Sequence, residues 1–435
     1  LRVTLSFSLE DISTIKQQLL VWSQQFHEVV WFDSNHYQAN YSEYDAILAV
    51  DALTVLQTDT QNAFQKLAEY QKTTNDWIFG YLSYDLKNAT EDLKSENFDG
   101  LQFPELYFMQ PKKLFFLKGN ILEVSYLSFL KDELQEDVFT IMNTKIDSEI
   151  FTHSTSNKEH RPKIKLRIHK DEYHEKVNTL LAHIHRGDIY EANFCQEFYA
   201  ENAEIDPLST YTHLNAISKP PFATFMRLED KYILSASPER YLKKEGTKVI
   251  SQPIKGTAKR SDDAELDVQM AEDLRTDEKE RAENIMIVDL VRNDLSKTAV
   301  KGSVNVEELC KIYTFDQVHQ MISTVVSEVS ETQNPIEILQ TTFPMGSMTG
   351  APKISAMQII ENLEETKRGI YSGAIGYFTP TNDFDFNVVI RTILYNSTQK
   401  YVSYSVGGAI TAKSIPEKEY EECLLKAKAM REALE

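Results

Sequence analysis

Apolar positions along the chain fall into two rhythms. Short apolar runs at residues 45–51 and 77–84, and the aromatic-rich stretch 104–116, predict strands in the first third of the chain. Residues 232–241 and 248–254 also read as strands, whereas 170–187 carries a helical pattern. A long helix is predicted over 276–294, with Asp277 and Glu280 spaced as a capping pair. A last helix is announced by Ser414 and Glu417 at the same spacing, with Pro416 in the first turn, where its missing N–H is tolerated. Strands and helices mix without a regular βαβ alternation, and no repeat or heptad series stands out. The pattern therefore predicts an α+β fold rather than a doubly wound parallel sheet.

From Lys131 the sequence turns polar, and residues 152–161 (THSTSNKEHR) have the composition of a loop between halves. This places a boundary between an N-terminal region 1–160 and a second region 161–435, although 435 residues suit one large core equally well. Hydrophobic residues make up 42% and charged residues 26%, a globular balance. No apolar run approaches the roughly 20 residues of a membrane span. The first ten residues lack the cationic start and long apolar core of a secretion signal, so a trimmed cytoplasmic protein is expected. A formal charge of -20 argues against non-specific nucleic-acid binding, which needs clustered Lys and Arg. Cys195, Cys310 and Cys423 lie far apart without C-x-x-C pairing, which predicts buried free thiols rather than disulfides or a zinc site.

Several residues could carry chemistry. In SQPIKGT (251–257), Gly256 lets backbone approach a ligand just past Lys255. An isolated lysine is ordinarily a surface charge; it becomes a nucleophile only as a neutral amine, which burial or a nearby cation favours. Glu239, closing the strand before it, is placed where a hairpin could bring an acid to that lysine. Glu280 and Glu283 share one helix face, and Glu419 and Glu422 repeat the spacing on the last helix. Taken apart, such pairs are solvated charge; taken together, they suit a hard divalent ion such as Mg2+. Lys426 follows Glu422 by one turn and could meet an anion or pair with that Glu. FPMGSMTGAPK (343–353) marks a tight loop entering a helix, a ready site for a carboxylate, without the spacing of a Walker loop. Tyr371 and Gly373, Arg391 inside an apolar strand pattern, and a flexible strand turn at Gly407 and Gly408 add a phenol, a guanidinium fork and free backbone.

In order, SPE, PIKGT, EKERAENIMIVDLVRNDL, FPMGSMTGAPK, RGIYSGAIGY, IRT, and GGAI with PEKEYEE resemble the motifs of the chorismate-binding family, which includes anthranilate, aminodeoxychorismate, isochorismate and salicylate synthases. The likeness covers about residues 165–435. More loosely, Phe32-Asp33-Ser34 and Tyr41-Ser42 resemble a tryptophan-pocket segment, and YLSYDLKN (81–88) resembles a segment of the folate-pathway members. The resemblance implies two facing antiparallel sheets with helices outside, a cleft between them, and an N-terminal region contributing to both.

Within the family, a lysine in PIKGT marks aminodeoxychorismate synthases, where anthranilate synthases usually carry alanine. The resemblance thus implies conversion of chorismate to 4-amino-4-deoxychorismate, with Lys255 as nucleophile and Glu239 as general acid. It also implies Mg2+ on Glu283 and Glu422, with Glu280 and Glu419 nearby. Arg391 and Tyr371 would hold the enolpyruvyl carboxylate, and Thr257, Ser347, Gly407, Gly408 and Lys426 would complete the substrate cradle. Ser34 marks a tryptophan pocket. No cysteine sits in a Gly-x-Cys-x-Gly context, so ammonia is expected from a separate glutaminase subunit. The chain departs from the pattern at Gln320, which stands where the family has His while His319 comes one residue early, and at Glu191, where aminating members have Gln. The competing readings are anthranilate synthase component I and a non-catalytic relative that only binds chorismate or tryptophan.

Overall fold

A computed structural model of the chain describes residues 1–37, 41–147, 150–151 and 161–435. The predicted linker at 152–161, and the boundary placed within it, fall almost wholly outside the described residues. The strands form one hydrogen-bonded antiparallel array that divides into two sheets. Both sheets share the long strands Ala46–Thr58 and Leu106–Lys118, whose first and second halves serve different neighbours. One sheet runs from Arg2–Ser8 through Ile121–Leu127 and these strands to Glu28–Asp33, Phe222–Leu228, Lys231–Ser237, Thr392–Asn396, Tyr401–Thr411 and Glu191–Ala200. The other continues through Ile78–Leu82, Ala374–Phe378, Phe384–Val388, Arg240–Glu245, Lys248–Gln252 and Val318–Glu328, which also pairs with Ile254–Lys259 and Asn305–Thr314.

The two halves of the sequence do not form separate bodies. Trp31 lies opposite both Leu48 and Phe225, and Ile375 opposite Tyr81, so in each sheet a strand from before the proposed boundary pairs directly with one from after it. The same mixing continues in the core, where Trp31, Phe115 and Val124 are buried in one cluster with Phe225, Tyr395 and Tyr404.

Two predicted strands prove to be broken, and the breaks matter. Residues 232–241 divide into Lys231–Ser237, in the first sheet, and Arg240–Glu245, in the second. Pro238, which has no N–H to give a ladder, sits at the crossing. The expectation that Arg391 lies inside a strand is corrected in the same way. Phe384–Val388 ends in the second sheet, Thr392–Asn396 begins in the first, and Arg391 takes the link between them with φ 53°. The crossings are stitched together: the Val388 N–H donates to the Glu239 carbonyl at 3.0 Å, and the Ala236 N–H to the Arg391 carbonyl at 3.0 Å.

The helices follow their sequence signals with one exception. Lys170–Arg186 buries Tyr173, Val177, Leu180 and Ile184 along one stripe and stops at Gly187 in the left-handed region. Glu278–Ser296 is capped by Asp277, whose carboxylate accepts the N–H groups of Lys279 and Glu280 at 2.8 and 2.9 Å. In the last helix, Pro416–Leu434, the cap position is Ile415 rather than Ser414. The Ser414 hydroxyl is turned away, accepting the Thr411 N–H at 3.1 Å and donating to Glu419. Among the described residues, no helix is long and apolar enough to cross a membrane. Cys195, Cys310 and Cys423 are buried free thiols.

Candidate active site

Where the chain changes sheets the ladder is interrupted, and side chains gather at the seam. Glu239, at the first crossing, is 4% exposed and hydrogen-bonds Ser347, which arrives on the tight turn Gly346–Met348. Burial pushes the Glu239 carboxyl up to about 7, against the pull of Ser347 and Lys255. Lys255 enters from the irregular start of Ile254–Lys259, and its Nζ lies 3.4 Å from Glu191 Oε1. Gly256, at φ 91°, keeps this strand against the Glu278–Ser296 helix; a Cβ there would lie 3.3 Å from Glu280. The expected lowering of the Lys255 pKa is corrected: burial does lower it, but Glu191, Glu283 and Glu239 outweigh burial and hold the ammonium above the ordinary lysine value.

The two helical carboxylate pairs converge. Glu280 and Glu422 influence each other's ionisation, and the Lys279 ammonium lies among Glu283, Glu419, Glu280 and Glu422, 3.8 Å from Glu283. Burial, with neighbouring carboxylates, raises Glu280 and Glu419 and pushes Glu283 up to about 7. For Glu422, Lys426 at 2.7 Å overcomes burial and holds the carboxyl below its usual range. Among the described residues no three acidic, His or Cys side chains stand close enough to form a ready-made metal cage. The donor chemistry nevertheless fits a hard cation: carboxylate oxygens supplied by two helices, from buried Glu419 to exposed Glu422, among them Glu283 Oε1, which is buried without a hydrogen-bond partner.

Opposite this cluster, burial pulls the Arg391 guanidinium below its ordinary value, while Tyr371 and Glu422 partly offset it. Arg391 Nη1 donates to the Lys426 carbonyl at 3.3 Å, and Lys426 Nζ to the Gly407 carbonyl at 2.9 Å. Gly407 and Gly408 do not form a turn, as expected, but lie mid-strand opposite Cys195 and Phe194. A Cβ on Gly407 would collide with Cys195 Sγ and come within 2.8 Å of the Phe194 carbonyl, so glycine is required for the two strands to touch. Tyr371 is buried, its hydroxyl 3.9 Å from Cys195 Sγ.

Thus Lys255, Glu239, Ser347, Glu280, Glu283, Glu419, Glu422, Lys426, Arg391, Tyr371 and both glycines come together, and Thr257 lies two residues past Lys255 with its side chain exposed. Ser34 lies elsewhere. Its hydroxyl donates to the Asp45 carbonyl at 3.2 Å, and it lines a second cavity with Tyr44, Pro221, Arg240 and Tyr377. His319 is occupied structurally, its ring nitrogens 3.0 Å from Asp267 and 2.9 Å from Thr314; Gln320 lies across from Thr257. Sequence reasoning missed Glu191 as the partner of Lys255 and Lys279 as a resident cation. The second was findable, because Lys279 and Glu283 stand at i,i+4.

The family model described as chorismate binding enzyme matches residues 21–432. The chain belongs to the chorismate binding enzyme family. Aminodeoxychorismate synthase component 1 of Salmonella typhimurium is 41% identical over 264 residues, which cover 61% of this chain and 58% of that relative's length. Anthranilate synthase component 1 of Aquifex aeolicus is 33% identical over 369 residues, 82% of this chain and 74% of the relative. Among solved structures of the fold, anthranilate synthase component I from Streptococcus pneumoniae TIGR4 superposes with a TM-score of 0.77 at 25% identity, covering 91% of this chain and 93% of that one.

Proposed function

We propose that the chain is the synthase subunit that converts chorismate and ammonia to 4-amino-4-deoxychorismate, a precursor of p-aminobenzoate and folate, working in the cytoplasm with a separate glutaminase subunit. The observation that carries this reading is Lys255, an ammonium with 14% of its side chain exposed, set between Glu239, an acid that burial keeps half protonated near pH 7, and Glu191, an acceptor 3.4 Å away. Lysine at this position is what distinguishes amination at C4 from the anthranilate reaction.

Arg391 and Tyr371 would hold the enolpyruvyl carboxylate, with Lys426, the Gly407-Gly408 backbone, Thr257 and Ser347 closing the cradle. Lys255 loses a proton to Glu191 and its amine attacks C2. Both ring double bonds shift, C1=C2 to C1=C6 and C5=C6 to C4=C5, as the C4–O bond breaks, and Glu239 gives its proton to the departing hydroxyl, which leaves as water. Ammonia then attacks C4, both double bonds shift back, and the C2–N bond to Lys255 breaks as Glu191 returns its proton to the lysine nitrogen. Glu283 and Glu422, with Glu280 and Glu419 beside them, would hold Mg2+, which neutralises the ring carboxylate and draws charge from the diene. Carboxylates outnumber cations in this cleft, which supports the need for a divalent ion before a dianion enters.

The test is to incubate the chain with chorismate, Mg2+ and ammonium and to separate the products with and without added aminodeoxychorismate lyase. p-Aminobenzoate formed only with the lyase agrees with the reading. Direct appearance of fluorescent anthranilate would move the chain to the reaction of the Aquifex relative, and no consumption of chorismate would favour a binding-only role.

A further inference from the structure

The motif at 81–88, YLSYDLKN, takes no part in the chemistry above, yet it grips the turn that carries Tyr371. It begins on the last two residues of the strand Ile78–Leu82, and Tyr84, Asp85 and Lys87 beyond the strand are buried almost completely. The Tyr84 N–H donates to the Gly369 carbonyl at 2.7 Å, and the Gly369 N–H donates to Asp85 Oδ2 at 2.9 Å, so one residue is held on both its backbone groups. Gly369 takes φ 55°, a conformation that glycine adopts without strain. Lys87 lies 2.9 Å from Asp85 and 3.1 Å from Glu361.

The next link is Arg368. Its guanidinium stands 4.4 Å above the Tyr84 ring and donates to the Met348 and Asn193 carbonyls, each at 2.6 Å. Those carbonyls lie one residue from Ser347 and two from Glu191. The Tyr371 N–H in turn donates to the Arg368 carbonyl at 3.1 Å. A buried ion pair such as Asp85–Lys87 is a poor source of net stability, because desolvation consumes most of its attraction; here the Asp85 carboxylate also accepts the Gly369 N–H.

We propose that Tyr84, Asp85 and Lys87 are positioning residues for substrate binding: they fix the Arg368–Gly369 turn, and through it the Tyr371 hydroxyl and the Ser347 loop. This rests on the reading of Tyr371 as a ligand of the substrate carboxylate. The N-terminal region is then part of the active-site scaffold rather than an accessory.

The experiment uses the full chain with Asp85→Asn and Lys87→Met combined, which removes both charges and retains their volumes. We expect the KM for chorismate to rise about tenfold while kcat stays within about threefold and the KM for ammonium is unchanged, the signature of lost ground-state positioning. In a Tyr371→Phe background the same pair has much less effect, because the group it positions is already gone. Hydrogen exchange in 367–373, measured without substrate, rises in the variant. If the double variant does not fold, Asp85→Asn alone, which keeps an acceptor for the Gly369 N–H, gives a smaller KM increase in the same direction. An unchanged KM for chorismate, or an effect that multiplies in full with Tyr371→Phe, overturns the proposal. A parent chain that does not consume chorismate would be a different failure, that of the functional reading; unchanged exchange in the variant would be a failure of the clamp itself.

Discussion

Replacing Glu239 by Gln should move stability and activity in opposite directions. Burial raises its carboxyl from the ordinary 4.5 to about 7. Because the folded value lies above the unfolded one, the native state carries no penalty below about pH 4.5, an increasing one as pH rises toward 7, and the full penalty above it. At about 1.4 kcal/mol for each pH unit between the two values, that penalty reaches about 3 kcal/mol. The amide of the Glu239→Gln variant would be neutral at every pH and could keep the hydrogen bond with Ser347. The variant should therefore unfold at higher urea than the parent at about pH 8.5, by about 3 kcal/mol, and nearly match it at about pH 5. Amination should fall by about 10²–10⁴-fold because the departing hydroxyl loses its proton donor. A stability difference that is the same at both pH values, or a variant within about threefold of parental activity, would refute the reasoning.

Lys255→Ala should stop 4-amino-4-deoxychorismate formation, and full output from that variant, read by coupled p-aminobenzoate assay, would end the covalent route. Gly407→Ala forces a methyl into Cys195 and the Phe194 carbonyl and should cost about 1–3 kcal/mol in thermal unfolding, with a lower melting temperature as the check. Lys279→Met removes the cation among four carboxylates. It should tighten Mg2+ binding about tenfold, equivalent to roughly 1.4 kcal/mol, and lower the stability of the chain without Mg2+. Calorimetric titration with Mg2+ checks this, and unchanged or weaker binding contradicts it.

Much of the secondary structure was legible because its signals are local. The stripe of Tyr173, Val177, Leu180 and Ile184 and the Asp277 cap depend only on residues within a few turns of helix. Ser414 shows the limit of that reasoning. The capping spacing is present, but the hydroxyl finds a Thr411 N–H and Glu419 instead, an outcome set by how the helix meets the preceding strand.

The candidate site divides in the same way. Motif order alone assembled Glu239, Lys255, the two carboxylate pairs, Tyr371, Arg391 and Lys426 into one expected cleft, because each motif keeps chemically specific residues at fixed spacing. Only the tertiary structure decided their state. Lys255 is an ammonium among Glu191, Glu283 and Glu239, three carboxylates drawn from three separate stretches of chain. Arg391 and Glu239 sit at sheet crossings rather than within strands, and Gly407 exists for a contact with Cys195 more than two hundred residues earlier in the chain. Ionisation and close packing depend on distances through space, and a sequence records only distances along the chain. The types of residue and their local geometry were therefore set by sequence, while burial, charge balance and the gripping of Gly369 by Asp85 were set by the fold.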